Sequence, residues 1–352
     1  MNFYILLLLF ISSLFLLGYF YPNKEKLLGL IVFVVITLVA GLRYRIGNDY
    51  NSYVSWYLYK TRDDNLEFGF VAIMDLFRWF NLSPFFLFFF FSFFTYFFVY
   101  LGIRKYTSHN NVELLFYILI PSLYISSFTF VRQSFSVAIS FYAFYYLINR
   151  KYLVYFLLMF IGISIHNTCL IPFVVFIFIF RYIDKIKVNH MCILLIGTFV
   201  LSTLNFVEVF SILFDKTRYE YYFSNKRIPV NIFKLIVLNI VCFFTLYYYQ
   251  KYRIKNLYKQ YFLVLYVISI AFINILSSSI DLSRIYTYFR IFEIIVVADL
   301  IFSETNRKRI CLFSFFYILY FTAFLNGLNI DSKIPYENIP KFIPYRSIFS
   351  KT

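Results

Sequence analysis

What this chain has least of is hydrophilic sequence. No polar segment runs beyond about forty residues, so no soluble catalytic domain is appended, and any chemistry falls to loops and helix ends. Charged residues make up 14% of the 352 positions, against about a quarter in an ordinary soluble domain. Acidic residues are scarcer still, 17 Asp and Glu against 33 Lys and Arg. Cysteine is limited to four positions, Cys169, Cys192, Cys242 and Cys311, all in or beside apolar runs with no CxxC spacing. They read as small buried hydrophobes, which excludes a disulfide framework and a zinc site. A GxxxxGK[ST] phosphate loop is missing, and so is an Asp-x-Asp metal motif, since Asp63-Asp64 is an adjacent pair. The first apolar run, Phe3 to Phe20, has no positive residue before it and no small-residue cleavage site after it, so it reads as a retained helix.

Apolar sequence fills the space instead: 62% of residues are hydrophobic, 25% are aromatic, and the mean hydropathy is +0.74. Apolar stretches of roughly 16 to 22 residues are far too long for the alternating segments of a barrel and suit helices that cross a bilayer. The fold expected is therefore all-α, a polytopic integral membrane protein. Twelve spans are expected, at 3–20, 27–42, 82–103, 112–130, 132–149, 152–166, 168–183, 190–210, 230–249, 260–277, 285–302 and 310–326. They form a single transmembrane domain over 1–352, with outer-face loops 43–81, 211–229 and 277–284 and an outer tail 327–352. About half of the basic residues crowd into short connectors on one side, among them Arg150, Lys151, Arg307, Lys308 and Arg309. Density of Lys and Arg in short loops marks the cytoplasmic side, so both termini face outward. The net charge of +16 is explained by that topology and by anionic lipid, and nucleic acid is set aside as a partner. Residues 66–80, LEFGFVAIMDLFRWF, are apolar with Glu67, Asp75 and Arg78 interspersed and are short for a span. They are expected to form an amphipathic helix at the outer interface or re-entering from it.

Chemistry collects at the same face. Arg132 and His166 each lie seventeen residues from Asn149, in two apolar runs joined by Asn149-Arg150-Lys151. A helical hairpin returns both to one level, about 25 Å from the turn, close to the thickness of a hydrocarbon core. An arginine opening an apolar span is expensive and marks either a candidate site or a hairpin cap that contacts lipid headgroups, and a histidine there is either structural or the side chain suited to proton exchange near neutral pH; their shared level favours the site. Gln133, beside Arg132, suits a phosphate or a sugar hydroxyl. The second span runs into Gly41-Leu42-Arg43-Tyr44-Arg45-Ile46-Gly47-Asn48-Asp49-Tyr50. Paired arginines with glycines and tyrosines form either an anion-binding mouth or a snorkelling pair at a helix end. Arg284 sits at the mouth of span eleven, binding an anion or pairing only with Asp281, and Arg290 with Glu293 reads as a structural ion pair. Arginines and one proton acceptor on one surface suit a lipid-linked diphosphate and a hydroxyl nucleophile.

These residues resemble the EpsG family of exopolysaccharide and O-antigen polymerases, often called Wzy. The matching pieces are GLRYRIGNDYNSY (41–53), LEFGF (66–70), the block FVRQSFSVAISFYAFYYLINRKYLVYFLLMFIGISIHNTCLIP (130–172) and SRIYTYF (283–289). Asn48, where Thr is common in the family, and Ser136, ahead of the usual small Ala138, are departures from the pattern. The resemblance implies a metal-independent membrane glycosyltransferase of GT-C-like fold in the bacterial cytoplasmic membrane, multi-pass, with its active site facing the periplasm or cell exterior. The implied reaction moves a growing glycan from undecaprenyl diphosphate onto a lipid-linked repeat unit, with no cofactor and no nucleotide sugar. Its partners are the lipid-linked oligosaccharide, membrane lipid, a chain-length regulator and a flippase.

Carried onto this chain, the resemblance points to Arg43, Asp49, Tyr50, Glu67, Arg132, Gln133, His166 and Arg284. The expected catalytic set is His166, Asp49 and Arg132, with either His166 or Asp49 as base; Arg43, Arg132, Arg284 and Gln133 bind the donor diphosphate. Tyr44, Tyr50 and Glu67 contact sugar, and no residue binds metal. A flippase for the same lipid-linked sugar is the rival, and it would place charge through the midplane and near both faces; here the midspan is nearly uncharged and the outer mouth is crowded, which favours an enzyme. An O-antigen ligase or an acyltransferase would use the same kind of outer pocket.

Overall fold

The computed structural model describes residues 1–59, 66–107, 111–203, 229–251, 257–332 and 341–350. These residues are almost wholly helical, and among them no strand forms, only an isolated antiparallel bridge between Arg43 and Ser347. The chain divides into two compact units, residues 1–170 with 301–352, and residues 171–300.

The first unit contains α1 (Asn2–Phe20), α2 (Glu25–Gly41), α3 (Tyr50–Tyr59), α4 (Phe68–Trp79), α5 (Pro84–Tyr106), α6 (Val112–Leu119), α7 (Ser126–Thr129), α8 (Val131–Ile148) and α9 (Tyr152–Ile165). α5 and α9 both pack along α8, so α8 is the unit's central helix. Between α8 and α9 the chain reverses at Arg150, whose left-handed backbone (φ 59°) lets its N–H reach the Leu147 carbonyl (3.0 Å) while the Lys151 N–H reaches that of Tyr146 (2.8 Å). That is the hydrogen-bonded ending helices use when two antiparallel partners must meet through a short turn. The expected interface helix at 66–80 forms as α4, leaving Phe68, Leu76 and Trp79 exposed.

The second unit holds most of α10 (Leu170–Tyr182), then α11 (Val188–Leu201), α12 (Ile232–Lys251), α13 (Leu257–Ile275), two single turns α14 (Ile280–Ser283) and α15 (Thr287–Arg290), and most of α16 (Glu293–Phe302). Asn239 and Asn274 exchange side-chain hydrogen bonds of 2.8 and 3.0 Å, and Asn274 also donates to Thr198 Oγ1 at 3.2 Å. This buried amide pair ties α11, α12 and α13 together where helix surfaces facing lipid supply no hydrophobic drive to associate. Arg290 and Glu293 form the expected ion pair, buried, at 2.9 Å.

Six helices among the described residues are long and apolar enough to cross a membrane: Asn2–Phe20, Pro84–Tyr106, Asn167–Lys185, Ile232–Lys251, Tyr258–Ile275 and Asn306–Ile330. The protein is thus a helical, polytopic membrane protein. These six account for half of the twelve expected spans, and two of the others are interrupted. The run 112–130 is interrupted after Leu119, because Pro121 has no N–H to donate and pushes Ile120 into extended backbone (ψ 109°). The run 285–302 is broken into single turns before α16 begins at Glu293. α17 (Asn306–Ser332) extends past the expected end of the last span, and loop 211–229, except its final residue, lies outside the described residues.

Candidate active site

Arg132 lies in the first turn of α8, and His166 caps the end of α9 in extended backbone. The hairpin therefore does return the two to one level, and the carboxylate of Glu67 joins them. Arg132 Nη1 donates to Glu67 Oε2, while His166 Nδ1 lies 3.0 Å from Oε1 and the Asn167 N–H donates to that same oxygen at 3.1 Å. Glu67 reaches this point because it precedes α4, whose first turn lies against the end of α9. A Cβ on Gly69 would sit 2.8 Å from the Ser164 carbonyl oxygen and 2.9 Å from the Ser164 Cβ, so only glycine permits that approach.

The Glu67 side chain is 6% exposed, and burial by itself raises a carboxyl pKa. Here the hydrogen bond to His166 and the Arg132 charge, with the Asn167 N–H, outweigh burial and hold the group at about 2. The carboxylate is therefore ionised at any physiological pH, and it accepts from Nδ1 of the imidazole. In neutral His166 the other nitrogen, Nε2, is then the proton acceptor.

Three aromatic rings enclose Arg132: its Cζ lies 5.9 Å from the Tyr53 centroid, 5.4 Å from Trp56 and 5.3 Å from Phe70. The Arg132 Nε meets no acceptor among the described residues. Asp49 lies within electrostatic reach of Tyr53. Arg78, from the end of α4, donates to the carbonyls of Trp56 (2.7 Å) and Tyr57 (2.9 Å), which clamps α3 to α4 beside the cluster. Tyr53, Trp56, Phe70 and Gly69 were not among the expected site residues. Their signals are the three-to-four spacing of Tyr50, Tyr53 and Tyr57 and the glycine inside LEFGF.

Several of the expected site residues are buried in this structure. Arg43 is 1% exposed; its guanidinium donates to the carbonyls of Ala40 and Phe128 (3.1 Å) and to Ser92 Oγ (3.3 Å), and it lies over the rings of Phe88 and Phe128. Tyr50 is 6% exposed and stacked on Phe88 at 4.4 Å, so its ring has no open face for a sugar. Gly47, in left-handed backbone (φ 95°), passes so close to the Phe128 carbonyl that a Cβ would collide with it. The segment 41–50 is therefore a strap fastened to the break between α7 and α8, and its arginine is a rivet. Glu67, expected to contact sugar, accepts from Arg132, His166 and the Asn167 N–H. Tyr44 is half-buried, with Arg45 over its ring, and Gln133 is half-buried beside Arg132. Arg284 belongs to the second unit, where it pairs with Asp281.

A family model, that of the EpsG family, matches residues 26–347. The chain belongs to the EpsG family. No curated protein and no solved structure matches it. EpsG proteins are Wzy-type polymerases, and a helical membrane chain of this family is a polysaccharide-polymerase-type protein. Within this EpsG chain the matched region takes in the strap, the Glu67 turn, the α8–α9 hairpin and the Ser347 that bridges to Arg43.

Proposed function

We propose that this EpsG protein transfers an undecaprenyl-diphosphate-linked glycan onto a lipid-linked repeat unit at the outer side of the bacterial cytoplasmic membrane. The observation that carries this reading is the single carboxylate shared by Arg132 and His166. A base with its tautomer held by a buried anion, beside a cation, is the minimum equipment for moving a sugar from a diphosphate to a hydroxyl.

In the step proposed, a hydroxyl oxygen of the acceptor sugar attacks the anomeric carbon of the donor glycan. The bond from that carbon to the diphosphate oxygen breaks, and its electron pair leaves with the lipid diphosphate. The hydroxyl proton passes to His166 Nε2, and Glu67 stabilises the imidazolium that results, as a carboxylate does behind a catalytic histidine. Arg132, 18% of whose side chain is exposed, offsets charge developing on the leaving diphosphate. Asp49 orients sugar hydroxyls next to Tyr53. Gln133, next to Arg132, adds a contact to the diphosphate in this proposal.

The test uses cells lacking the protein, complemented with wild type, His166→Ala, Arg132→Ala or Glu67→Gln. Wild type should restore surface polymer, and the variants should leave single repeat units on lipid at the outer face. Normal polymer from His166→Ala would sink the assignment, and repeat units trapped on the cytoplasmic side would indicate a flippase instead.

A further inference from the structure

We infer that Trp56 forms a saccharide subsite of this centre, stacking the pyranose ring whose hydroxyl or anomeric carbon is presented to His166. The inference rests on the polymerase reading above and deepens it by naming a binding surface.

Of the three rings around Arg132, Tyr53 (3% exposed) and Phe70 (0%) are sealed in the core; Trp56 is half-buried. It is therefore the ring of this cage that retains open surface. Its backbone carbonyl is held by Arg78, and Tyr53 packs perpendicular to its indole at 5.4 Å and 87°. The ring is thus held rigidly beside a guanidinium whose partner carboxylate also holds the imidazole. A sugar needs that combination: a flat apolar surface for the C–H face of the ring, and charged hydrogen-bonding groups at its rim for the hydroxyls. Indole offers the largest such surface and loses little conformational entropy on binding. α3 buries Tyr50, Tyr53 and Tyr57 on its packed face, which leaves Trp56 at the edge of that face beside Arg132.

The experiment exploits the presence of two tryptophans in the chain. Trp79 is 75% exposed at the end of α4 and away from the cluster, so Trp79→Phe leaves Trp56 as sole emitter in otherwise intact full-length protein. The probe is the free repeat-unit saccharide, released by mild acid from the lipid-linked pool of the deletion strain. Saturable change in Trp56 emission with the saccharide, and none with inorganic pyrophosphate alone, is the expected result. Trp56→Leu should raise KM for the lipid-linked repeat by about tenfold, with kcat and melting temperature nearly unchanged, and Trp56→Phe should recover part of the loss. Silence of the emission across the titration would overturn the subsite, as would a loss confined to kcat, which would make Trp56 only a prop for Arg132. Should Trp56→Leu not fold, the emission titration decides alone. Failure of the wild-type protein to restore polymer in the deletion strain would remove the polymerase reading itself; restored polymer with silent emission would remove only the subsite.

Discussion

Replacing Glu67 by Gln keeps the shape of the side chain and one acceptor oxygen but removes the charge that Arg132 and His166 share. The size of the effect follows from the carboxyl. Its pKa falls from 4.5 to about 2 in the folded protein, and at about 1.4 kcal/mol per unit this is worth at most about 3 kcal/mol of stability. A carboxylate with a lowered folded pKa contributes fully above its unfolded value, and the contribution is lost as pH falls through the folded one. At pH 7, therefore, Glu67→Gln should unfold in detergent with about 3 kcal/mol less stability than wild type, and the gap should close as pH drops from about 4.5 towards 2. Polymerisation should fall by about two to four orders of magnitude, because the imidazole loses both its tautomer lock and its counter-ion. The assay pairs denaturation curves across that pH range with turnover of lipid-linked repeat units. Equal stability at pH 7, or a gap that stays constant into acid, would refute the account of Glu67 as the buried anion of the site.

Other outcomes follow from the same geometry. Gly69→Ala should force α4 away from Ser164 and reduce activity about as severely as Glu67→Gln while Arg132 and His166 remain in place, measurable as lost turnover in a protein that still purifies. Arg43→Ala should lower the amount of folded protein, costing on the order of 3 kcal/mol by leaving the Phe128 carbonyl and a buried void unfilled, and Arg43→Lys should not rescue it because one ammonium cannot reach every acceptor. Expression and melting temperature check this; a normally folded Arg43→Ala that only weakens substrate binding would restore Arg43 as a ligand residue. Tyr50→Phe keeps the stack on Phe88 and should polymerise at close to the wild-type rate, whereas a sugar-binding tyrosine would show a raised KM.

Much of this protein is legible in its residues. Long apolar runs with few charges admit only membrane helices, because backbone groups in lipid must be satisfied within each segment. The equal spacing of Arg132 and His166 about Asn149 determines their common level through helical rise alone. The buried Arg290–Glu293 pair and the amphipathic character of 66–80 follow from periodicity in the same way. What periodicity does not carry is the partner brought from elsewhere in the chain. Glu67 lies 99 residues from His166, and it meets the imidazole only because Gly69 lets α4 touch α9. For the same reason the sequence makes Arg43 and Tyr50 look like ligands: a polar stretch after an apolar helix has identical composition whether it faces water or is folded under Phe88 and Phe128. Burial decides between these, and burial is a property of which helices pack together. The chain itself thus determined the membrane-helical class, the hairpin and the family, while tertiary packing selected which of its scarce charges meet at Glu67 and which, like Arg43, are buried among carbonyls and rings.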